Sequence, residues 1–386
     1  MMHLAHGSFF LPGIWVILPE KDLLFILGTV YFLNCTFTVQ EDIMAAEKEL
    51  LTLDVIGPGA ICRNAHFPGM ILLQDRVRLR AFCDTNRERL EKAGREFQVD
   101  ELYDSVEELL AAHPDGAVLN TTPTAEHAWT TIACLDAGRD VLCEKPISMT
   151  LEEADAMLDA AKRNNRILQL GLLSRFAPCW QKIKSLIDAG EIGDVMSITM
   201  TQYWNQTTLY TDWRTQTAVS GGGIIADSAV HWIDIMRWLL GEMTELTAIG
   251  AAAPDSPKQD VDDTAMVLFH FKNGQIGTLR NSWRHMRPSN EAETVEIYGT
   301  KGTIIGNLQT PWINGGIQHV RLVQSGEMKV YTFQDPKLRY ANQLNTFFDL
   351  VESRDMAAAS GPDGRRALEI QLAIYEAMKK RIWVRV

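Results

Sequence analysis

Short apolar runs alternate with amphipathic stretches between residues 51 and 171. Each apolar run ends at a glycine, a proline or a polar turn, which is typical of strands buried on both faces of a parallel sheet. The stretches between them have helical periodicity, and two of them open with capping-box spacing, Ser105-x-x-Glu108 and Thr150-x-x-Glu153. This alternation predicts an α/β Rossmann fold with a doubly wound parallel sheet. The predicted strands are 51–56, 77–83, 117–122, 140–143 and 167–171.

After residue 195 several segments alternate strictly between apolar and polar residues. Such alternation predicts strands with one buried and one exposed face. Asn273-Gly274 separates two of these segments and predicts a hairpin turn. We therefore predict an α+β C-terminal domain with a large, mostly antiparallel open sheet. Its predicted strands are 196–204, 266–271, 276–283, 294–298 and 303–305.

These patterns divide the chain into four segments. We predict a Rossmann domain at 44–171 and an α+β domain at 172–340. The segment 341–386 has helical periodicity, and we expect its helices to pack back on the Rossmann domain. Residues 1–43 form an N-terminal extension that has no place in this architecture.

The extension leaves two readings open. Residues 23–39 carry no charge, but they are short of the ~20 apolar residues that span a bilayer, so a membrane anchor stays open. A secretory signal is disfavoured, because a basic n-region and a small-residue cleavage site are missing. We expect translation to start at Met44, since the following residues lead directly into the first predicted strand.

The composition favours small-molecule chemistry. The 386-residue chain has a formal net charge of −12, which argues against nucleic acid as a partner because phosphate binding needs clustered basic residues. Its six cysteines are scattered and form no C-x-x-C pair. We expect reduced thiols in a cytoplasmic protein, with neither a disulfide framework nor a metal site.

The first predicted strand runs into Gly57-Pro58-Gly59 and then into a predicted helix. This order of strand, glycine turn and helix is the context that a dinucleotide fingerprint requires. Gly57 permits the tight turn, and Gly59 lets the backbone approach a pyrophosphate. Ala60 and Ile61 begin the helix, whose unpaired N–H groups favour an anion. Cys62 stands where the fingerprint has glycine or alanine.

The second predicted strand ends at Asp84, 25 residues after Gly59. An acid at this point can accept both ribose hydroxyls of NAD, and its charge repels the 2′-phosphate of NADP. We therefore expect NAD as the cofactor. The alternative is an N-cap at Asp84-Thr85, because Thr85-x-x-Glu88 has capping-box spacing. NADP stays open, because Arg87 is close enough in sequence to reach a phosphate.

Two further motifs follow the next strands. Thr122-Pro123 ends one strand, and His127 is predicted to begin the helix after it. Glu144-Lys145-Pro146 ends another strand, which places Lys145 at a carboxyl end of the sheet. Ligands of open α/β sheets bind outside those ends, so we predict that both motifs face the cofactor.

The second half contains a polar patch that the sheet pattern does not explain. Trp213-Arg214 precede three glycines, Gly221 to Gly223, and Asp227 and His231 follow at i and i+4 in a predicted helix. The alternative is an acid favoured by the helix dipole beside an ordinary buried histidine. Asp262-Asp263 either contact the cofactor side or cap a turn. Candidates for the wall of a substrate site are Arg175, Trp204, Trp213, Arg214, Trp283 and Arg284.

Over residues 51–386 the chain resembles the glucose-fructose oxidoreductase and inositol dehydrogenase (Gfo/Idh/MocA) family of NAD(P)-dependent oxidoreductases. The resemblance rests on Gly57-x-Gly59-x-x-Cys62, on Thr122-Pro123 with His127, and above all on Glu144-Lys145-Pro146. It implies that Lys145 lies beside the nicotinamide and the reacting hydroxyl, and that Asp227 and His231 face the substrate. It also implies a homo-oligomer, a dimer or tetramer, because the open sheet face often forms the subunit interface in this family.

We predict hydride transfer between nicotinamide and a secondary alcohol or carbonyl of a sugar, inositol or related polyol. His231 is expected to act as general base, because imidazole titrates near working pH, with Asp227 orienting it. Lys145 is expected to stabilise the developing alkoxide. Two alternatives stay open, which are an NAD-dependent glycoside hydrolase of the same fold and a non-catalytic cofactor-binding regulatory protein.

Overall fold

The computed structural model describes residues 50–203, 213–252, 261–284, 293–308, 317–334 and 338–386, together with short strands before residue 37. The chain forms two units, Met1–Glu49 and Leu50–Val386. In the first unit, Ser8–Leu11 pairs with Ile14–Ile17, and Leu24–Ile26, Thr29–Phe32 and Cys35–Thr36 form a second antiparallel sheet. All further description concerns the second unit.

Six parallel strands form the first sheet of this unit. They are β1 (Leu51–Ile56), β2 (Val77–Cys83), β3 (Glu101–Tyr103), β4 (Ala117–Asn120), β5 (Asp140–Cys143) and β6 (Leu168–Leu170). Their order is β6-β5-β4-β1-β2-β3, so the direction of winding reverses between β1 and β4. Every residue of β4 and β5 is buried, and all but Asn120 and Asp140 are apolar, as expected for strands covered on both faces. The predicted doubly wound sheet is confirmed.

Five helices connect these strands. They are α1 (Phe67–Met70), α2 (Arg87–Phe97), α3 (Val106–Ala112), α4 (Thr124–Asp136) and α5 (Leu151–Arg163). The Ser105 side chain caps α3, and Thr150 with Glu153 forms the predicted capping box of α5. A π-helical turn, Cys62–His66, precedes α1. No motif in the sequence predicts this turn. The turn changes which residues face the sheet.

The second sheet has nine strands. They are β7 (Val195–Tyr203), β8 (Met243–Ala251), β9 (Thr264–Phe271), β10 (Ile276–Ser282), β11 (Glu293–Gly299), β12 (Thr303–Asn307), β13 (Gln318–Gln324), β14 (Glu327–Phe333) and β15 (Val384–Arg385). Their order is β14-β13-β12-β11-β7-β10-β9-β8-β15. The pair β7 and β10 is parallel and the other neighbours are antiparallel, so the predicted mostly antiparallel sheet is confirmed.

Five further helices lie in the second half of the chain. They are α6 (Pro178–Asp188), α7 (Thr217–Ser220), α8 (Val230–Leu240), α9 (Leu338–Ser353) and α10 (Gly361–Lys380). A second π-helical turn, Ile225–Ala229, runs directly into α8. Helix α9 packs against α1, and α10 packs against α5, α8 and β8.

One apolar core joins the two sheets. It extends from Ile56 and Val118 in the first sheet through Ile224 to Phe269 in the second, and all four side chains are at most 2% exposed. This shared core fixes the second sheet and its helices relative to the carboxyl ends of β1, β4 and β5. In the described part of the chain, none of the helices has the length and apolar character needed to cross a membrane.

Candidate active site

A cleft of about 350 Å³ opens at the carboxyl ends of the parallel strands. The sheet reverses its direction of winding here, and this is where open α/β sheets bind ligands. The predicted cofactor residues that line it are Gly57, Gly59, Ala60, Ile61, Asp84, Thr122, Pro123, Glu144 and Lys145. Trp213, Arg214 and Asp227 line the other side. The structure therefore brings most of the predicted residues together around one space.

The glycine turn after β1 has the shape that a pyrophosphate requires. Gly57 has φ +74°, and a Cβ added there would lie 3.0 Å from the Thr122 backbone nitrogen. The Thr121 hydroxyl donates to the Gly57 carbonyl at 2.6 Å and holds the turn against β4. A Cβ on Gly59 would meet only the Gly57 carbonyl oxygen, at 3.7 Å, so its backbone faces open space. The residues present thus fit a bound dinucleotide.

Cys62 is compatible with this fingerprint. Its side chain is fully buried, and its Sγ lies 2.9 Å from the Thr121 hydroxyl oxygen. Burial raises the pKa of the thiol to about 12, so Cys62 is a neutral packing residue. A small side chain suffices at the point where the helix approaches the strand.

Asp84 lies at the end of β2 and faces the cleft. Its carboxylate accepts the Asn86 backbone N–H at 2.8 Å and two N–H groups of Arg89, at 2.6 and 2.5 Å. Arg89 also lines the cleft, whereas the Arg87 side chain binds Glu91 and Asp104 on the surface. Arg87, which kept NADP open in the sequence analysis, thus has its side chain held by surface carboxylates. Arg89, in the same first turn of α2, is the arginine that lines the cleft beside Asp84.

Lys145 binds the segment that carries Asp227. Its Nζ donates to the Asp227 carbonyl oxygen at 2.5 Å and lies 3.5 Å from Asp227 Oδ1. The Arg214 Nε lies 3.5 Å from the same carboxylate oxygen, and the Arg214 guanidinium stacks over the Trp213 ring at 4.7 Å. Burial opposes ionisation of Asp227, but the charges of Lys145 and Arg214 outweigh it and lower its pKa. One carboxylate therefore faces two cations at the wall of the cleft.

Glu144 binds the backbone of Lys145, and His66 in turn binds Glu144. Glu144 Oε2 accepts the Lys145 backbone N–H at 3.0 Å, and Oε1 lies 2.8 Å from His66 Nε2. Burial alone would raise the pKa of Glu144, yet the hydrogen bond and charge of His66 lower it to about 2. A Cβ at Gly171 would lie 2.9 Å from Glu144 Oε2, so only glycine fits there without a shift. His66 was not predicted, because only the π-helical turn brings it to the glutamate.

The predicted pairing of Asp227 with His231 has no direct side-chain contact to support it in the described structure and stays a prediction. Within the described residues no hydrogen bond joins the two side chains, and the buried Nδ1 of His231 has no partner. The i, i+4 spacing predicts a shared face only in an α-helix, and Asp227 lies in a π-helical turn. Burial and the charge of Lys145 lower the pKa of His231 to about 3. The imidazole is therefore neutral near pH 7, which contradicts the expectation that it titrates there.

His127 has a structural place rather than a cofactor contact. Helix α4 begins at Thr124, three residues earlier than predicted, so His127 lies inside the helix and is 1% exposed. Its ring nitrogens lie 2.7 Å from the Pro146 carbonyl oxygen and 2.9 Å from that of Thr122. The described residues that line the cleft do not include it. His127 instead ties the two loops that do face the cofactor.

Arg175 belongs to a buried ion-pair network. Its Nε lies 2.8 Å from Asp234 Oδ2, and its Nη1 lies 2.9 Å from Asp363 Oδ2, which links three segments of the fold. The described residues that line the cleft do not include Arg175. The prediction of Arg175 as a substrate residue is not supported by this placement.

Three other predicted wall residues also lie away from the cleft or outside the description. Trp283 is 1% exposed and belongs to the core. Arg284 follows β10, where its backbone N–H donates to the Ser282 hydroxyl at 3.1 Å, and it is not among the described lining residues. Trp204 lies outside the described residues. Asp262 accepts the backbone N–H groups of Gly223 and Ile225 and so caps a turn, which was one of its two predicted roles.

A parallel sheet with a glycine turn, an acid at the second strand end and a lysine beside an open second sheet defines a two-domain, dinucleotide-dependent oxidoreductase. The family model described as "Oxidoreductase family, NAD-binding Rossmann fold" matches residues 52–172, and "GFO/IDH/MocA C-terminal domain" matches residues 180–305. The chain belongs to the GFO/IDH/MocA family of oxidoreductases, and NAD is its cofactor.

Individual relatives agree with this assignment. The chain is 30% identical over 339 residues to myo-inositol 2-dehydrogenase of Thermotoga maritima, a match that covers 86% of this chain and 97% of the relative. It is 29% identical to levoglucosan dehydrogenase of Pseudarthrobacter phenanthrenivorans, over 71% of this chain and 80% of the relative. A solved structure of levoglucosan dehydrogenase in complex with NADH and levoglucosan superposes with a TM-score of 0.77, at 25% identity, over 88% and 99% of the two chains.

Proposed function

We propose that the protein oxidises a secondary alcohol of a sugar, an inositol or a related polyol with NAD, or reduces the corresponding carbonyl with NADH. The observation that carries the proposal is the position of Lys145. Its Nζ lies at the wall of the cofactor cleft, 3.5 Å from the carboxylate of Asp227, which also faces Arg214. Relatives named for dehydrogenation of inositol and levoglucosan support the substrate class.

The chain supplies separate groups for each part of the cofactor. The Gly57 turn and the start of the following helix present backbone N–H groups to a pyrophosphate, and Asp84 presents carboxylate oxygens to ribose hydroxyls. When bound, NAD accepts a hydride from the substrate carbon, or NADH returns it. Lys145 lies at the end of β5, where a substrate hydroxyl beside the nicotinamide comes within its reach.

Lys145 is the group that stabilises the reacting oxygen. As hydride leaves the carbon, negative charge develops on the hydroxyl oxygen, and an ammonium at hydrogen-bond distance offsets it. Asp227 holds the ammonium in place through its backbone carbonyl and its carboxylate. Arg214 shares that carboxylate and so leaves part of the Lys145 charge available to the substrate.

His231 is the proposed acceptor of the hydroxyl proton. Lys145, Glu144 and Asp227 all act on its pKa, so it lies near this charge cluster, although it is not among the described residues that line the cleft. Its pKa of about 3 keeps the imidazole in the unprotonated form that can accept a proton. The same low pKa means that the proton passes on to solvent rather than staying on the ring.

The test is NADH formation, followed by absorbance, across a panel of sugars, inositols and sugar acids. With an active substrate, Lys145→Met is expected to lower kcat by about 10²–10⁴-fold, while NADH binding measured by fluorescence stays within a few-fold of wild type. Lys301→Met, at an exposed lysine, is the matched control and is expected to be fully active. Near-normal turnover of Lys145→Met contradicts the assigned role.

The same panel separates the other functions that the fold allows. Cleavage of a glycoside without net NADH formation indicates the glycoside hydrolase. Tight NADH binding with no turnover of any compound indicates the regulatory protein. Either result replaces the dehydrogenase proposal.

We also propose that a second copy of the chain covers the outer face of the second sheet. Ile249, Met266, Leu268 and Ile276 lie on three adjacent strands and are 68%, 44%, 48% and 51% exposed. A contiguous apolar patch of this kind marks an interaction site, and this face often joins subunits in the family. Light scattering after gel filtration is expected to show an oligomer for wild type and a smaller species for Leu268→Asp. A monomeric wild type contradicts the proposal.

A further inference from the structure

The helical segment that carries Asp227 begins without a capping side chain of its own. It follows Gly221-Gly222-Gly223, and in the described structure the residue at its N-cap, Ile224, makes no side-chain cap hydrogen bond. The first N–H groups of any helix have no partner within the helix and need one from elsewhere. Three glycines and an isoleucine offer no oxygen for this purpose except their own backbone carbonyls.

Two residues distant in sequence supply the missing acceptors. The Ile224 N–H donates to the Asp262 carbonyl oxygen at 2.8 Å, and the Ile225 N–H donates to Asp262 Oδ2 at 3.0 Å. The Ala226 N–H donates to the Tyr375 hydroxyl oxygen at 3.2 Å. The Asp227 N–H is the first to find a local acceptor, the Gly223 carbonyl, at 2.9 Å.

Asp262 and Tyr375 form one unit. The Tyr375 hydroxyl donates to Asp262 Oδ1 at 2.9 Å, and the Gly223 N–H donates to both of these oxygens, at 3.0 and 3.1 Å. The phenol therefore uses its one proton and accepts two N–H groups, which is its full hydrogen-bonding capacity. Asp262 is 7% exposed, so water competes little for these bonds.

Asp262 and Tyr375 leave room only for glycine at positions 222 and 223. A Cβ on Gly222 would lie 2.0 Å from the Tyr375 hydroxyl oxygen, and a Cβ on Gly223 would lie 1.9 Å from the Asp262 carbonyl oxygen. Neither contact is possible for a real side chain. The backbone before the catalytic segment is thus pressed directly against Asp262 and Tyr375.

We propose that Asp262 and Tyr375 are positioning residues for hydride transfer, because together they fasten the backbone that presents Asp227 to Lys145. This inference rests on the proposed function. The Lys145 Nζ binds the Asp227 carbonyl oxygen, and the position of that carbonyl follows from the backbone of Ala226 and Asp227. A displacement of about 1 Å is enough to slow a reaction that depends on alignment by about 10²-fold.

The test compares Tyr375→Phe with Tyr298→Phe. Tyr298 is the matched control, because it is 40% exposed and its hydroxyl also donates to a carboxylate, that of Glu296, at 2.5 Å. Both variants lose one hydroxyl group and one such bond. The readouts are kcat per NADH-binding site, the dissociation constant of NADH, and the deuterium isotope effect with the wild type's best polyol.

Tyr375→Phe is expected to lower kcat per site at least tenfold and to increase the isotope effect, because alignment for hydride transfer is lost. Its NADH affinity is expected to stay within about twofold of wild type, and Tyr298→Phe is expected to match wild type in every readout. A purely structural role predicts fewer binding sites with normal kcat per site, and that result overturns the inference. Asp262→Asn places an N–H against the backbone N–H groups and is expected to lose more activity than Tyr375→Phe.

Amide hydrogen exchange gives a readout that needs no substrate. Exchange of the peptide covering residues 223–227 is expected to accelerate in Tyr375→Phe and to be unchanged in Tyr298→Phe. Unchanged exchange in Tyr375→Phe overturns the inference. An inactive wild type on the whole panel refutes the proposed function instead, and an active wild type with an equally active Tyr375→Phe refutes only the positioning role.

Discussion

Gly57 offers a direct test of how the glycine turn binds the cofactor, because Gly190 provides a matched control. The two glycines have φ of +74° and +69°. An alanine at either position incurs the left-handed backbone cost of about 1–2 kcal/mol. A Cβ at Gly57 would also lie 3.0–3.1 Å from backbone atoms of Thr121 and Thr122, whereas a Cβ at Gly190 meets no described atom within 4 Å. Gly57→Ala therefore carries an additional crowding cost of about 1–3 kcal/mol.

The crowding falls on the wall of the cofactor cleft. Gly57 and Thr122 both line the cleft, so a Cβ between them moves backbone that faces the pyrophosphate. We expect the dissociation constant of NADH to rise about tenfold in Gly57→Ala, which corresponds to about 1.4 kcal/mol. Gly190→Ala changes only the turn after α6, so its NADH affinity is expected to equal that of wild type.

Two measurements decide the matter. Fluorescence titration gives the affinity, and thermal unfolding gives the stability, with each kcal/mol expected to change Tm by about 1–2 °C in a unit of this size. We expect both variants to lose Tm and only Gly57→Ala to lose affinity. Equal NADH affinity in the two variants would refute the reasoning, because the contact at Thr121 and Thr122 would then be without effect on the cofactor.

Two further predictions concern the carboxylates of the cleft. Asp84→Ser removes the acid that binds Arg89 and frees that guanidinium for a 2′-phosphate, so the ratio of kcat/KM for NADP to that for NAD is expected to rise at least tenfold. The control Asp104→Ser affects Arg87 and is expected to leave this ratio unchanged. An unchanged ratio in Asp84→Ser would contradict the prediction. The pKa of Glu144 is lowered from the usual 4.5 to about 2, because the hydrogen bond and charge of His66 outweigh the effect of burial. The ionised carboxylate therefore stabilises the fold above pH 4.5, and this stabilisation is lost as the pH falls towards 2. The difference in unfolding free energy between wild type and Glu144→Gln is expected to narrow by about 2 kcal/mol from pH 6 to pH 3 in urea titrations, and a difference that widens would contradict this sign.

Five of the six strands of the first sheet were predictable because their signal is local, whereas the three-residue strand β3 was missed. β1, β2 and β5 have the predicted bounds, since each contains an apolar run that ends at a turn that the sequence marks. Four strands of the second sheet, β8, β13, β14 and β15, escaped prediction. The last residues of β8 and most of β14 are exposed, so no alternation of buried and exposed positions marks them.

The site was predictable as far as it depends on strand ends and glycine turns. Lys145, Asp84 and Gly57 reach the cleft because each lies within two residues of a strand end, and sequence position alone implies this. The partners of these residues were not predictable. His66 and Arg89 reach the site through the pitch of a helix. The predicted pairing of Asp227 with His231 assumed an α-helix, whereas Asp227 lies in a π-helical turn, which changes the angle between successive side chains.

Contacts between distant segments carry no local sequence signal at all. Tyr375 lies in the middle of a long amphipathic helix, and nothing beside it in the sequence indicates that its hydroxyl meets Ala226. The glycines at 222 and 223 are the one visible trace of the contact. They indicated close backbone approach but not the partner.

The separation of Ala226 and Tyr375 has a consequence for synthesis on the ribosome. The two residues are 149 positions apart, which at 5–20 residues per second corresponds to about 7–30 s of translation. During that interval the first parallel strands have already emerged and can pair, while the amides at 224–226 still lack the phenol that will bind one of them. The segment that carries Asp227 therefore stays accessible to chaperones until α10 arrives.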